Sequence, residues 1–494
     1  MKKLFLLLIL LALLLRFYRL PDFTEFYGDQ GLDGMLVLHA VYDKAIPLVG
    51  PPSSQGMNQG AFYLYLIAPI LLLTNFNPLG PAFFMAALGT MHVAVFYFLT
   101  KKLFSEKVAL FTTTIFALSP IGIFMSRTYW NSFLLPIGTT VLLFCLVVLK
   151  EKKKLNWFLI TGFLLGVFVQ MHYTGLMLIP MTVFFWVFLR LWQYKRYTIF
   201  SFIAFSIPFI PFFIFQFQNH FVDLRGLAKL MYPLSHIYRN VAPPNIPTLF
   251  AFAFQTFVPK MQIAISAILG LLLITIPFYL KKATFWHKML TAWLSIALII
   301  ITRNRGDFQL HYLDILFPLP FLLFASVLNT FESKKEHKVV FALFIIFLFL
   351  NVIHLDLFSK SEERLAKTEN LVQSMINQSN NKPFSFTIIS PSFSDTHYRF
   401  LFAREKVVPV KITENAYDTL FIACEKTDCP TAESLQMTTA FPVTCYDLHC
   451  EIFYPKIDLT MWKLVKEEII HGGKLFTFKR LLQKNEIPTG HKQT

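Results

Sequence analysis

The 494-residue sequence is poor in charged residues, glycine and cysteine. Only 15% of its residues are Asp, Glu, Lys or Arg, whereas a soluble globular protein has about a quarter. Its 19 Gly and 5 Cys stand beside 57 Phe, which excludes a collagen-like chain and a small disulfide scaffold. It also lacks a P-loop, a dinucleotide-binding glycine fingerprint, an H-E-x-x-H motif and a nucleophile elbow. The common soluble nucleotide, metalloprotease and serine-hydrolase sites are therefore not indicated.

What the sequence has in abundance is apolar surface. Hydrophobic residues make up 55% of the chain, and the mean hydropathy is +0.54. Such a chain is neither disordered nor an ordinary soluble core, so a bilayer is the expected solvent. We predict a polytopic α-helical membrane protein. Eleven segments are apolar and near the roughly 20 residues that a span needs: 4–20, 81–100, 108–125, 133–149, 157–172, 175–191, 199–217, 261–280, 285–302, 311–330 and 339–357.

The first of these segments begins like a signal peptide, with two lysines before an apolar run at 4–15. A cleaved signal peptide would continue with a small-x-small cleavage site, but the sequence continues with Arg16-Phe17-Tyr18-Arg19. This favours an uncleaved signal anchor over a cleaved peptide.

Orientation depends on the apolar run 61–75, which at 15 residues is short for a span. If it crosses, the lysine-rich loop 150–154 lies outside; if it is interfacial or re-entrant, all the basic loops lie inside, as the positive-inside rule requires. We therefore predict eleven spans plus one interfacial or re-entrant segment. The N-terminus is then cytoplasmic and the C-terminus extracytoplasmic, in a multi-pass protein of the cell (inner or plasma) membrane. The basic loops lie near 101–107, 150–154, 190–196, 281–288 and 334–338.

Two domains follow from the hydropathy. Residues 1–358 form the membrane domain, with a first outer loop at 21–60, and residues 359–494 form a polar tail. Within the tail, 362–378 is typical of a helix, and 384–390 and 417–425 are typical of strands. We predict a small extracytoplasmic α/β domain.

Four of the five cysteines lie in this tail. Cys424, Cys429, Cys445 and Cys450 form two C-x4-C pairs, which outside the membrane favour two disulfides of undetermined connectivity. A zinc site built from all four is the alternative, although the spacing is not the usual C-x2-C. Cys145 falls within a predicted span and is interpreted as a core residue.

The first outer loop contains the most distinctive acidic group. Five acids lie between residues 22 and 43, and glycines flank the sequence Asp29-Gln30. On a helix, Asp29 and Asp33 share one face, because they are four residues apart. The alternative interpretation is a solvated loop with helix-capping acids.

Polar residues at the predicted outer ends of the spans form a second group. Ionisable residues at membrane depth are costly and indicate functional sites, whereas interfacial anchoring by Tyr, Trp and Arg is the alternative explanation. Together they would place cationic and imidazole groups where an anionic lipid headgroup lies. The residues are Arg127, His172, Tyr173, Arg303, Arg305, His311 and Tyr312.

In its first 360 or so residues the sequence resembles the GT-C superfamily of integral-membrane glycosyltransferases. The closest branch contains the protein O-mannosyltransferases and the lipid A aminoarabinose transferases. Asp29 falls at the Asp of the acidic pair that this branch carries in its first outer loop, and Gln30 replaces the usual Glu. The other matching features are residues 16–20, the Pro/Gly-rich stretch 46–52, the aromatic run 62–66, 129–131 with 134–136, 172–173, and 311–312 with Pro318.

The resemblance implies transfer of a sugar from a polyprenyl-phosphate donor to a lipid, glycan or protein acceptor on the outer face. It implies inversion by a single displacement. Asp29 would act as general base, with Gln30 and Asp33 supporting it. The Arg, His and Tyr residues named above would stabilise the departing phosphate or bind substrate. No cofactor or metal site is required by this chemistry, although a divalent cation is compatible with it.

Two other functions remain alternatives. A secondary transporter also has many spans, but the sequence contains no internal repeat and no matching pair of broken helices. A lipid-linked glycan ligase or polymerase would use a large late outer loop, for which 218–260 is the candidate. The net charge of +16 lies mainly in the predicted cytoplasmic loops, so we expect membrane lipid and no nucleic acid as a partner.

Overall fold

The computed structural model describes residues 1–53, 56–231, 245–302, 308–331, 336–390, 394–412, 417–426, 428–442 and 456–481. Contacts divide the chain into two compact units. The first unit contains Met1–Leu20 and His39–Lys360, and the second contains Pro21–Leu38 and Ser361–Thr494. The division falls close to the predicted boundary at 358/359, except that Pro21–Leu38, part of the predicted first outer loop, groups with the C-terminal segment.

The first unit is built from helices, as its hydropathy predicts. Its only sheet within the described residues is a short antiparallel hairpin of Val49–Pro52 and Asn58–Gly60. Its α-helices are Lys2–Phe17, Phe62–Leu73, Leu79–Leu103, Glu106–Ala117, Pro120–Arg127, Leu135–Lys152, Leu155–Met171, Leu178–Phe188, Lys195–Ser206, Ile210–Gln218, Val222–Met231, Ile246–Gln255, Ile263–Tyr279, Phe285–Ile301, Pro318–Thr330 and Glu336–Val352.

Every predicted span coincides with a helix or a pair of helices, but the predicted number of eleven spans is not confirmed. Within the described part of the chain, four helices are long and apolar enough to cross a bilayer, or six if each of two bent pairs is one span. The bent pairs are Glu106–Ala117 with Pro120–Arg127, at 61°, and Leu310–Leu316 with Pro318–Thr330, at 41°. Proline begins the second helix of each pair, and a proline cannot continue the preceding hydrogen-bond ladder. Several other apolar helices end at 17 residues or fewer.

The run 61–75, which decided the predicted topology, forms the 12-residue helix Phe62–Leu73. At 1.5 Å per residue it is about 18 Å long, well short of a hydrocarbon core of about 30 Å. This length is compatible with the predicted interfacial or re-entrant segment. Orientation in the membrane stays a prediction.

Lysines of the predicted basic loops 101–107 and 150–154 contact other helix ends of the first unit. Lys102 Nζ lies 2.6 Å from Glu151 Oε2, which joins the ends of the helices Leu79–Leu103 and Leu135–Lys152. Lys150 Nζ lies 4.3 Å from the centre of the Phe285 ring, at the start of another helix. These contacts bring lysines of different loops to shared helix ends, and the cytoplasmic location of these ends stays a prediction.

This placement gives a labelling prediction. A cysteine in place of Lys152 is expected to resist a membrane-impermeant maleimide applied to intact cells and to react after permeabilisation. Lys44→Cys, at an exposed site of the predicted first outer loop, is the matched control and is expected to react before permeabilisation. Both are read against the parent protein's background. Ready external labelling of Lys152→Cys would contradict the predicted topology.

The second unit combines helices with a four-stranded mixed sheet. The strand order is Phe384–Ile389, Thr419–Cys424, Gly473–Arg480, Trp462–Ile470, with the first pair parallel and the others antiparallel. This confirms the predicted small α/β character of the tail. Its helices are Gly28–Tyr42 as far as Leu38, Arg364–Ser379, Thr396–Arg404 and Ala432–Gln436, and a second small sheet pairs Phe441–Pro442 with Lys456–Ile457.

Alternate sheet residues form a core in the second unit. Leu420, Ile422 and Cys424 pack against Phe476 and Phe478 of the neighbouring antiparallel strand, and all five are fully buried. The residues between them are buried as well, so strand Thr419–Cys424 is covered on both faces.

A disulfide joins Cys424 at the end of one strand to Cys429 in the following loop. Sequence left the connectivity open, and the structure selects this local pairing for the first C-x4-C. Cys445 and Cys450 lie outside the described residues. Cys145 is buried in the first unit, as predicted.

Reduction of this disulfide is expected to destabilise the second unit modestly. A loop of about five residues gives about 2 kcal/mol in the chain-entropy model. We expect Cys429→Ser to raise hydrogen exchange in strand Thr419–Cys424 without altering the helices of the first unit. A thiol alkylating agent that modified Cys424 fully in the unreduced protein would contradict the pairing.

Candidate active-site residues

Asp29 stands in the first turn of the helix Gly28–Tyr42. The helix begins after Tyr27, whose carbonyl accepts a 2.9 Å hydrogen bond from Gly31 N. Tyr27 N in turn donates to Gln30 Oε1 at 3.0 Å, which is the reciprocal half of a capping box. Asp29 is exposed, and the partial positive charge of a helix N-terminus favours its carboxylate form.

Gln30, which was predicted to support Asp29, caps the N-terminus of this helix. Its buried side chain satisfies the backbone N–H at the helix start, which would otherwise lack an intrahelical acceptor. A glutamine performs this task as well as a glutamate. The replacement of the family's second acid by Gln30 thus leaves the helix start intact.

Asp33 lies one turn further along the same helix and is 1% exposed. Burial, together with the nearby charge of Asp29, raises the pKa of Asp33 well above its usual range. A raised pKa favours the protonated form of the carboxyl, whereas a metal cation binds the carboxylate form. Within the described residues, no three His, Cys, Asp or Glu side chains are grouped to hold a metal ion.

The segment before the helix is held by Arg364 of the C-terminal part of the second unit. Its Nε lies 2.9 Å from Glu25 Oε2, and its guanidinium stacks 4.5 Å from the centre of the Tyr27 ring. Burial raises the pKa of Glu25 while the charge of Arg364 opposes that rise. The acidic loop is thus partly neutralised by a base that sequence spacing could not associate with it.

In the first unit, the structure brings together the predicted residues His172, His311 and Tyr312. The imidazole centroids of His172 and His311 are 5.3 Å apart, and the His172 ring is 6.4 Å from Tyr312. Trp130 packs edge-on against His311 at 4.7 Å. We call these four residues the imidazole–aromatic cluster. His172 Nδ1 is 2.8 Å from Thr174 Oγ1, which fixes the orientation of its ring.

Tyr173 lies beside the cluster in sequence but serves a network that the sequence analysis missed. Its hydroxyl donates to the carbonyl of Asn58 at 2.5 Å. Asn58 N donates to Asp223 Oδ1 at 2.8 Å, and Gln216 Nε2 donates to Asp223 Oδ2 at 2.6 Å. Asn131 Nδ2 donates to Gln59 Oε1. These polar residues are conspicuous in an apolar sequence, which was the available signal. Asn58 and Asp223, however, are 165 residues apart, so the sequence does not show that they meet.

Arg127 has a different environment from the other predicted residues. It is 4% exposed, and its Nη2 donates to the carbonyls of Leu15 and Tyr18 at 2.7 Å each. These carbonyls belong to the end of the first helix, where intrahelical donors are missing. Its predicted contact with a donor phosphate stays a prediction. Arg303 and Arg305 lie outside the described residues.

Comparison with known proteins agrees with the resemblance seen in the sequence. Residues 58–215 match the family model of dolichyl-phosphate-mannose-protein mannosyltransferase. No curated protein sequence matches the chain.

Among solved structures, ArnT from Cupriavidus metallidurans bound to undecaprenyl phosphate has 10% identity, covers 96% of this chain and 97% of its own, and superposes with a TM-score of 0.59. Its apo form has 11% identity, coverage of 96% and 98%, and the same TM-score. The oligosaccharyltransferase of Archaeoglobus fulgidus has 12% identity, coverage of 84% and 65%, and a TM-score of 0.49. The family-model match and the fold shared with ArnT confirm the predicted likeness to the GT-C superfamily.

Proposed function

From the fold shared with ArnT, we propose that this membrane protein is a glycosyltransferase. It transfers a sugar from a polyprenyl-phosphate-linked donor to a lipid, glycan or protein acceptor on the outer face. Two likenesses support the donor class. One is the match of residues 58–215 to dolichyl-phosphate-mannose-protein mannosyltransferase; the other is the fold of a protein crystallised with undecaprenyl phosphate.

Asp29 is the proposed general base, and its position in the first turn of Gly28–Tyr42 is the observation that carries the proposal. A base must be ionised and must reach the proton that it removes. Asp29 is exposed at a helix N-terminus, whereas its neighbour Asp33 is buried and its pKa is raised. Of these two acids, Asp29 is therefore the one that an acceptor can reach.

The chemistry is a single displacement at the anomeric carbon. The acceptor oxygen or nitrogen forms the new bond as Asp29 takes its proton, and the bond to the phosphate oxygen breaks with its electron pair on the polyprenyl phosphate. This leaving group needs stabilisation of charge more than a proton. The roles of His172, His311, Arg303 and Arg305 in this stabilisation stay predictions.

The reaction class can be tested with purified protein in liposomes and a panel of radiolabelled polyprenyl-phosphate sugars. Transfer of label to a lipid or peptide acceptor, with release of polyprenyl phosphate, would support the proposal. Solute uptake without turnover of any donor would favour a secondary transporter. Transfer of a complete oligosaccharide from a polyprenyl-diphosphate carrier, with no use of monosaccharide donors, would favour the ligase or polymerase.

A further inference from the structure

Helix Gly28–Tyr42, which carries Asp29, is seated on the C-terminal helix Thr396–Arg404. The two are more than 350 residues apart in sequence, yet Pro21–Leu38 and Ser361–Thr494 belong to one compact unit. Phe26, two residues before helix Gly28–Tyr42, packs edge-on against the fully buried His397. The C-terminal segment is therefore a direct structural neighbour of the proposed base.

Two glycines make the approach of these helices close. A Cβ at Gly31 would lie less than 3.0 Å from the backbone N and Cα of His397. A Cβ at Gly34 would lie 2.7 Å from Cε2 of the Phe400 ring. At Gly31 the obstacle is backbone and cannot rotate away, so any side chain there must displace one helix from the other.

A hydrogen bond fixes the start of the same helix. Thr396 Oγ1 donates to the carbonyl of Gly28, and that carbonyl belongs to the peptide group that includes Asp29 N. The Thr396 hydroxyl is itself 2.8 Å from Ser394 Oγ. Thr396 is 4% exposed, so water cannot easily replace this contact.

His397 and Tyr398 of helix Thr396–Arg404 contact Glu425 at the end of a sheet strand. Tyr398 Oη donates to Glu425 Oε1 at 2.9 Å, and His397 Nε2 lies 3.6 Å from Glu425 Oε2. Glu425 directly follows the strand Thr419–Cys424. The seat of the Asp29 helix is thus anchored to a rigid element.

We propose that the C-terminal segment is part of the transfer machinery because helix Thr396–Arg404 positions Asp29. Gly31, Gly34 and Thr396 are positioning residues that act through Asp29 and do not touch substrate. This inference rests on the proposed function, since it assigns Asp29 the role of base. A displacement of about 1 Å at a reacting group costs as much as 10²-fold in rate.

The experiment combines turnover with hydrogen exchange in the full-length protein. Gly31→Ala is expected to lower turnover by about 10²-fold and to raise exchange in residues 28–38, while strand Thr419–Cys424 stays protected. Gly34→Ala, whose obstacle is a side chain, and Thr396→Val should cause smaller losses. Gly226→Ala is the matched control, because its neighbour is the flexible end of Met57, and it should keep full turnover.

A double variant separates positioning from general damage. If Gly31 acts through Asp29, Gly31→Ala in an Asp29→Asn background removes nothing further, and the double variant is as slow as Asp29→Asn alone. A further loss by the same factor as in the native background would overturn the positioning role, as would unchanged exchange in residues 28–38. If Gly31→Ala also raises hydrogen exchange in strand Thr419–Cys424, the unit is damaged as a whole. The same comparison in the two backgrounds is then made with Thr396→Val. Full turnover by Asp29→Asn alone would instead overturn the base assignment, and this inference with it.

Discussion

Replacing Asp29 by Asn is expected to lower transfer by about 10²–10⁴-fold, the range that a positioned general base contributes. The substitution keeps the size and the first-turn position of the side chain but removes its basicity. The amide cannot remove the proton of the attacking acceptor group. We therefore expect kcat to fall, with little change in KM for the donor. Turnover with a single radiolabelled donor at saturating acceptor measures this directly.

Asp43→Asn is the matched control for that experiment. Asp43 belongs to the same predicted outer loop and is exposed, so its neutralisation changes the charge of the loop by the same amount. We expect it to retain most of the native rate. Equal rates for Asp29→Asn and the native protein would remove the general-base assignment, and equal losses in both variants would show that loop charge matters instead.

Glu425→Ala is expected to destabilise the second unit by several kcal/mol, the range for removing one member of a buried charged network. Glu425 Oε2 accepts from Ser390 Oγ at 2.7 Å, and Oε1 accepts from Tyr398 Oη at 2.9 Å and Thr368 Oγ1 at 3.0 Å. Truncation would remove the acceptor of the fully buried Tyr398 hydroxyl, which costs more than the bond itself contributes. Hydrogen exchange in strand Thr419–Cys424 at neutral pH measures the change.

The same carboxylate makes the effect depend on pH. Burial alone would raise the pKa of Glu425, but contacts with His397 and with the Ser390 and Tyr398 hydroxyls outweigh burial and lower the pKa to about 2. An acid whose folded pKa is lowered stabilises the fold above its unfolded pKa of about 4.3. This stabilisation is lost as pH falls from there through about 2. The difference between native protein and Glu425→Ala should therefore shrink on acidification.

Glu433→Gln is the control for this second prediction, because Glu433 is an exposed acid of the same unit. It is expected to change stability by less than about 0.5 kcal/mol at any pH. A stability difference for Glu425→Ala that stayed constant from neutral to acidic pH would contradict the proposed ionised network.

The two predictions concern one structural unit. Glu425 anchors the helix Thr396–Arg404 through Tyr398, and that helix contacts the segment carrying Asp29 through Thr396. A destabilising change at Glu425 should therefore also reduce turnover, but only under conditions where exchange in residues 28–38 increases. The reverse does not hold, because Asp29 is exposed and its neutralisation leaves the anchoring contacts in place.

Local sequence was sufficient for the apolar helices and for three elements of the tail, but helix Thr396–Arg404 and strands Trp462–Ile470 and Gly473–Arg480 were not predicted. Each predicted apolar segment is helical, and the predicted tail elements 362–378, 384–390 and 417–425 appear as Arg364–Ser379, Phe384–Ile389 and Thr419–Cys424. Helix and strand periodicity, like hydropathy, depend on neighbours within about 20 residues. The span count did not follow, because breaks before Pro120 and Pro318 divide two apolar segments into bent pairs and several other apolar helices have 17 residues or fewer.

Only some residues of the candidate site could be predicted from the sequence. Asp29 was identified from its acidic loop and from the resemblance to the family, and His172 and His311 were identified because ionisable residues at the ends of apolar spans indicate functional sites. The capping role of Gln30 was not predicted, because Tyr27 stands where the sequence signature of a capping box has Ser or Thr. Asn58 and Asp223 were missed, because their hydrogen bond joins positions 165 residues apart.

By itself, the sequence determined a helical membrane protein with a cysteine-bearing α/β tail, and it placed an acid at position 29. Only the tertiary structure decided what holds that acid. Gly31 appeared as one of several glycines around Asp29 until its helix was seen within van der Waals distance of His397, 366 residues later. Such a contact depends on how the chain closes on itself, and neither composition nor periodicity contains that information.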